Sequence, residues 1–128
     1  HRIGLYDLAM IKDNHIAAAG GIAAAVAAVR AHAPGIAVEV EVTCFEELDQ
    51  ALAAGVEWIM LDNMPPARMA EAVRRVAGRA RLEASGNVRL ENIRAVAESG
   101  VDCISLGALT HSVVAFDISQ RLLGLDGA

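Results

Sequence analysis

The amino-acid sequence predicts an α/β fold, a partial and open parallel β/α barrel of about five β/α units. Three observations carry this. Apolar, strand-like runs alternate with helical stretches at intervals of about 20 to 30 residues, the order that gives a parallel sheet covered by helices. Val38-Glu39-Val40-Glu41-Val42 alternates valine with glutamate at period two, so one strand face is apolar and the other carries two carboxylates. Taken at alternate positions, all the strands sort the same way. Ala9/Ile11, Val38/Val40/Val42, Ile59/Leu61, Leu82/Ala84 and Ile104/Leu106 form an apolar face suited to helices. Met10/Lys12, Glu39/Glu41, Trp58/Met60/Asp62, Arg81/Glu83/Ser85 and Cys103/Ser105/Gly107 form a more polar one. A doubly wound sheet needs both faces apolar, whereas a barrel has one helix-facing side and one enclosed side with polar groups at its C-terminal mouth. The barrel, TIM-barrel-like, is therefore preferred. A complete eightfold barrel takes about 250 residues, so a chain of 128 residues is a partial one. The competing reading of residues 38–42 is an edge strand whose glutamates face water.

In chain order, Leu8-Ala9-Met10-Ile11-Lys12 is an apolar run ending in Lys12-Asp13-Asn14-His15. Gly20-Gly21 opens an alanine-rich helix over residues 22–32, closed by Pro34-Gly35. A strand over residues 37–42 follows. Thr43-Cys44-Phe45-Glu46 has the capping-box pattern, with Thr43 at the cap and Glu46 three residues later; its helix runs to about residue 54 and stops at Gly55. Glu57-Trp58-Ile59-Met60-Leu61 is the next strand and ends in Asp62-Asn63. Pro65-Pro66 starts a helix that runs to about residue 77 and ends at Gly78. Ala80-Arg81-Leu82-Glu83-Ala84 is a strand ending in Ser85-Gly86-Asn87. A helix over about residues 90–99 stops at Gly100, and the last strand covers residues 101–106. Gly107-Ala108-Leu109-Thr110-His111-Ser112 follows, and a final helical piece is expected within residues 117–123.

Composition bounds the function. Aromatics make up 3% of residues, hydrophobic residues 55%, and mean hydropathy is +0.39, which excludes disorder and allows a sizeable core. A net charge of −5 argues against general nucleic-acid binding. No apolar run approaches the roughly 20 residues of a membrane span, so no membrane partner is expected. The chain opens on His1-Arg2 with no signal-peptide pattern, and Cys44 and Cys103 match no zinc or CxxC spacing. The expectation is a cytoplasmic protein with reduced thiols.

Lys12, Glu41, Asp62, Ser85 and His111 fall at or just past the C-terminal ends of separate strands. In a barrel that end carries the site. Lys12 beside Glu41 and Asp62 reads as an anion-binding cation paired to carboxylates. Glu41 and Asp62 either share a divalent cation such as Mg²⁺, which takes one or two carboxylates plus phosphates and waters, or join a salt-bridge network with Lys12 and Arg81. Ser85-Gly86-Asn87 and the turn from Gly107 to His111 are glycine-containing strand-to-helix turns on the last two units. There glycine lets backbone N–H groups approach a phosphate and a helix start favours the anion. His1, Arg2, Lys12 and His15 make a basic cluster in a chain that is acidic overall. A cationic pocket beside a metal-capable one suggests two ligands, one bearing carboxylates and one a metal-bound phosphate.

At these residues the chain resembles the quinolinate phosphoribosyltransferases, also called nicotinate-nucleotide pyrophosphorylases (carboxylating). The motifs are His1-Arg2-Ile3-Gly4-Leu5-Tyr6-Asp7, Ile11-Lys12-Asp13-Asn14-His15, Glu39-Val40-Glu41-Val42, Leu61-Asp62-Asn63, Glu83-Ala84-Ser85-Gly86 and Ser105-Leu106-Gly107-Ala108-Leu109-Thr110-His111-Ser112. The resemblance implies that residues 1–128 are the later part of an open α/β-barrel catalytic domain, with an N-terminal domain and the first barrel strand outside them. It implies transfer of a phosphoribosyl group from phosphoribosyl pyrophosphate (PRPP) to quinolinate with decarboxylation, a step of NAD biosynthesis, in a homodimer or larger homo-oligomer that uses Mg²⁺. Carried over by position, His1, Arg2 and Lys12 hold the quinolinate carboxylates. Glu41 and Asp62 face the ribose hydroxyls and Mg²⁺, directly or through PRPP or water. Ser85, Gly86, Asn87, Gly107 and His111 hold the 5′-phosphate, and Lys12, Glu41 and Asp62 form the catalytic set. The family's molybdenum-transport-associated relatives share these motifs and are the alternative, as is a non-catalytic barrel fragment that binds phosphate or self-associates.

Overall fold

The computed structural model describes residues 7–111 and 114–121. Its sheet has five parallel strands in the order β1-β2-β3-β4-β5: β1 Leu8–Ile11, β2 Ala37–Val42, β3 Trp58–Asp62, β4 Arg81–Ser85 and β5 Cys103–Ile104. Strand order equal to chain order, with helical crossovers throughout, is the arc of a β/α barrel. A doubly wound sheet reverses its order at a switch point, and this one does not. The helices are α1 Asp13–Ala19, α2 Ile22–His32, α3 Phe45–Ala53, α4 Pro66–Val76, α5 Ile93–Glu98 and α6 Ala108–His111. No single helix among the described residues is long and apolar enough to cross a membrane.

The period-two pattern explains the core. Ile11, Val38, Val40, Val42, Ile59, Leu61, Leu82 and Ala84 are all buried, and they pack with Ile22, Val26, Leu48, Met69, Val76 and Val96 from the helices. The opposite face stacks in layers. Register sets Met10 beside Glu39, Trp58 and Arg81, and one layer nearer the strand ends Glu41 beside Met60, Glu83 and Cys103. Glu39 is buried and β2 is flanked on both sides, so the edge-strand reading fails. The guanidinium of Arg68 lies 4.5 Å and that of Arg75 4.1 Å from the Phe45 ring centroid, stacking α4 on the start of α3.

Several boundaries differ from the sequence expectation. Helix α1 was not anticipated: it starts at Asp13, whose charge suits a helix start, and its Gly20 cap lies in the left-handed region at φ 84°. Thr43 is not the cap of α3; Cys44 is, and the Glu47 carboxylate accepts from both the N–H and the hydroxyl of Thr43 at 2.7 and 2.9 Å. Glu46 instead bonds its own N–H and the Cys44 thiol, which together hold its carboxyl below the ordinary range. Glu57 and Asp102 precede their strands, and each carboxylate accepts a backbone N–H of the neighbouring strand: Val38 at 2.8 Å and Leu82 at 2.7 Å. Helix α5 begins at Ile93 because a turn tied by asparagine side chains occupies the residues before it. Strand β5 pairs over two residues only. The helix expected within 117–123 is absent over the described 117–121; a short helix over Ala108–His111 stands earlier instead.

Candidate active site

Parallel strands deliver their C-terminal ends to one rim, and the sequence-selected residues follow. Lys12 is the residue after β1, Glu41 is next to last in β2, and Asp62 and Ser85 end β3 and β4 as register partners. The side chains settle into two neighbouring pockets. The first, about 300 Å³, is lined by Lys12, Asp13, Glu41, Glu47 and Asp62. The second, about 400 Å³, is lined by Ser85, Gly86, Asn87, Arg89, Gly107 and His111. His1 and Arg2 lie outside the described residues.

In the first pocket the Lys12 ammonium stands 3.4 Å from a Glu41 carboxylate oxygen, with 47% of the lysine side chain and 17% of the glutamate exposed. That half-open pair can accept an anion at the lysine while the glutamate still faces the cavity. Arg81 is not part of it. Register puts Arg81 at the far end of β4, where its guanidinium lies 5.3 Å from the Trp58 ring centroid, so the wider salt-bridge network is replaced by a single pair. His15 does not join the cluster either: its Nδ1 accepts the Lys12 backbone N–H at 3.0 Å and so caps α1.

Among the described residues no group of three or more His, Cys, Asp and Glu could hold a metal. The Glu41 and Asp62 carboxylates in one cavity do fit Mg²⁺, which is satisfied by one or two protein carboxylates when phosphate oxygens and waters complete its shell.

The second pocket is lined by Arg89 and His111 and by no carboxylate, which suits an anion. Of its two turns, the one at Gly107 leads straight into α6 as expected, and the one at Ser85 does not. Residues 86–92 separate β4 from α5, so no helix start faces the Ser85-Gly86-Asn87 turn. Gly86 has φ 83°, and a Cβ there would also run into the Asn63 carboxamide. Asn87 turns its side chain to Asn63 Oδ1, donating at 2.8 Å. Beneath the pocket the Ser105 hydroxyl donates to the buried Glu83.

Asn63 and Arg89 were not among the sequence-selected residues. Asn63 had a signal: asparagine just past a strand end readily takes the left-handed conformation, here at φ 53°. Arg89 had none, because its place beside His111 depends on how the irregular turn folds.

Comparison with known proteins bears on what these pockets are. The family model described as quinolinate phosphoribosyl transferase, C-terminal domain, matches residues 1–121. The chain belongs to this family. It is 50% identical over 125 residues to the nicotinate-nucleotide pyrophosphorylase [carboxylating] of Mycobacterium leprae, covering 95% of this chain and 44% of that protein. It is 47% identical to the probable nicotinate-nucleotide pyrophosphorylase [carboxylating] of Bacillus subtilis, covering 94% of this chain and 42% of that one. The crystal structure of NadC from Streptococcus pyogenes superposes with a TM-score of 0.81 at 46% identity, over 88% of this chain and 40% of that one. The chain thus spans less than half the length of these quinolinate phosphoribosyl transferase relatives, over the part that holds both pockets.

Proposed function

We propose that the full-length protein, with the segments its relatives carry beyond the matched region, is a quinolinate phosphoribosyltransferase. It joins quinolinate to PRPP and releases nicotinate mononucleotide, pyrophosphate and CO₂. The observation that carries this reading is the meeting of Lys12, Glu41 and Asp62 in one cavity beside a second cavity lined by Arg89 and His111. An ammonium and two carboxylates face one ligand; a carboxylate-free pocket takes the phosphate of the other.

Lys12, with His1 and Arg2, holds the quinolinate carboxylates and so presents the pyridine nitrogen to the anomeric carbon. The nitrogen lone pair forms the new C–N bond as the C–O bond to pyrophosphate breaks, and that electron pair leaves with pyrophosphate. Glu41 and Asp62 face the ribose and stabilise the positive charge that develops there. The second pocket anchors the 5′-phosphate through Arg89, His111 and the Ser85-Gly86-Asn87 turn. The bond from ring carbon 2 to its carboxylate then breaks, CO₂ departs, and a proton takes its place on the ring, with the cations around the pyridine stabilising the charge in between. Mg²⁺, held by Glu41 and Asp62 directly or through water and PRPP, would neutralise the pyrophosphate oxygens. A cytoplasmic homodimer or larger homo-oligomer belongs to the same reading.

The test is incubation of the full-length protein with quinolinate, PRPP and Mg²⁺, reading nicotinate mononucleotide by mass. Product that disappears in a Glu41→Gln, Asp62→Asn double variant is the expected result. A folded protein that forms none, with any acceptor pyridine, refutes the reading in favour of a molybdenum-transport-associated relative or a non-catalytic barrel.

A further inference from the structure

Residues adjacent in an extended strand point to opposite faces, so Asp62 and Asn63 would not ordinarily touch. They do here because Asn63 leaves the strand in the left-handed region, at φ 53°, and its side chain swings back. Its Nδ2 lies 2.9 Å from Asp62 Oδ1 and 2.9 Å from Oδ2, donating across both carboxylate oxygens. Asn63 is itself fixed at every polar atom besides its carbonyl. Its N–H donates to the Ser85 carbonyl at 2.9 Å, and its Oδ1 accepts from Asn87 Nδ2 at 2.8 Å. Gly86 leaves the space that its carboxamide fills. The chain of contacts continues: Asn92 Nδ2 donates to the Asn87 carbonyl at 3.0 Å, and Asn92 Oδ1 accepts the Arg89 N–H at 2.8 Å. A continuous line of amide groups therefore joins the carboxylate of the acidic pocket to the turn that walls the anion pocket.

We infer that Asn63 is a positioning residue that holds the Asp62 carboxylate in place and ties it to the phosphate turn. The inference rests on the preceding reading of Asp62 as a group facing the ribose and its metal. One amide nitrogen shared by both oxygens holds the carboxylate at its place on the rim, so it is tethered toward Asn63 while its remaining lone pairs stay open to the cavity. The Asn87 side chain is then not a phosphate ligand, as its sequence position suggested, but the support of Asn63. Gly86 is required at its place by Asn63 as much as by any phosphate.

Two variants separate this role from a structural one. Asn63→Gly keeps the left-handed backbone and removes the carboxamide. Asn63→Asp keeps the shape and the acceptor for Asn87 but cannot donate to Asp62. In the full-length protein each should lower kcat by at least about tenfold, the scale set by small misplacements of catalytic groups. Each should also weaken PRPP binding in the presence of Mg²⁺, measured by calorimetry. The deciding measurement is the double-mutant cycle: in an Asp62→Asn background, Asn63→Gly should cost no more than about twofold further. Losses that multiply independently would overturn the inference, as would an Asn63→Gly enzyme with unchanged kcat and PRPP affinity. An Asp62→Asn enzyme of full activity would instead bring down the underlying assignment of Asp62, and the inference with it.

Discussion

The Lys12 ammonium and the Glu41 carboxylate, 29 residues apart, meet at 3.4 Å across the mouth between β1 and β2. If this lysine holds a quinolinate carboxylate, Lys12→Ala in the full-length protein should raise KM for quinolinate by about tenfold or more while leaving the KM for PRPP nearly unchanged. Lys12→Arg should restore little, because the planar guanidinium keeps the charge but not its placement. Steady-state kinetics with each substrate varied in turn checks both. An alanine variant with unaltered quinolinate KM would remove Lys12 from the substrate site.

Much of this pair was legible before any coordinates. Lys12 and Glu41 share the polar parity of their strands, and parity is a local property that valine and glutamate spell out directly. The same holds for the buried face from Val38 to Ala84 and for Asp62 at its strand end. What escaped the sequence was set by short-range side-chain hydrogen bonds that compete with the expected helix starts. Residues 90–92 have helix-forming character, yet Asn92 binds the Arg89 N–H and the Asn87 carbonyl and delays α5 to Ile93. Thr43 carries the usual cap chemistry but gives its N–H and hydroxyl to Glu47, shifting the cap to Cys44. Residues 117–121, where a helical piece was expected, are exposed and non-helical, so no packed face stabilises a helix there.

Gly86→Ala should damage stability and site together. The position has φ 83°, and the added methyl would displace the Asn63 carboxamide. A loss of about 1–3 kcal/mol is expected from a side chain forced into the left-handed region. Thermal melting reads the first effect and PRPP affinity the second. A variant that loses stability but binds PRPP normally would separate the turn from the phosphate pocket.

At the opposite end of the sheet, Asp102→Ala should lower stability without touching the chemistry. Its carboxylate accepts the Leu82 N–H at 2.7 Å, at the start of a strand whose Leu82 is 2% exposed. Leaving that donor unmatched costs about 1–3 kcal/mol. Denaturant melts should show the loss while kcat stays within about twofold of the parent. A large fall in kcat would mean that strain at the bottom of β4 reaches its C-terminal end.

The 128-residue chain alone should self-associate. Leu109, Val114, Phe116 and Ile118 are each at least 75% exposed, and the last three alternate along a non-helical stretch. Apolar surface of that kind is covered in a stable protein. Sedimentation velocity over a range of concentrations should give a rising average mass, reduced by Phe116→Ser. A monomer at every concentration contradicts this.

Glu39 and Glu41 separate structure from chemistry within one strand. Both point to the enclosed face of β2, but Glu39 is fully buried while Glu41 keeps 17% of its side chain exposed toward the cavity it shares with Lys12 and Asp62. The distance along the strand is only about 6.6 Å. A carboxylate taken out of water is held there by groups that satisfy its charge, so Glu39→Gln should lower the melting temperature and leave turnover largely intact. Glu41→Gln keeps size and reach and removes the charge that faces the electron-poor ribose. Its cost should fall on kcat, by about 10²-fold if it compares with other electrostatic stabilisers, with little change in melting temperature. Both variants are to be compared at saturating magnesium and PRPP, so that a binding defect is not mistaken for slow chemistry. Equal activity losses, or the larger loss at Glu39, would mean that the deeper of the two carboxylates carries the reaction.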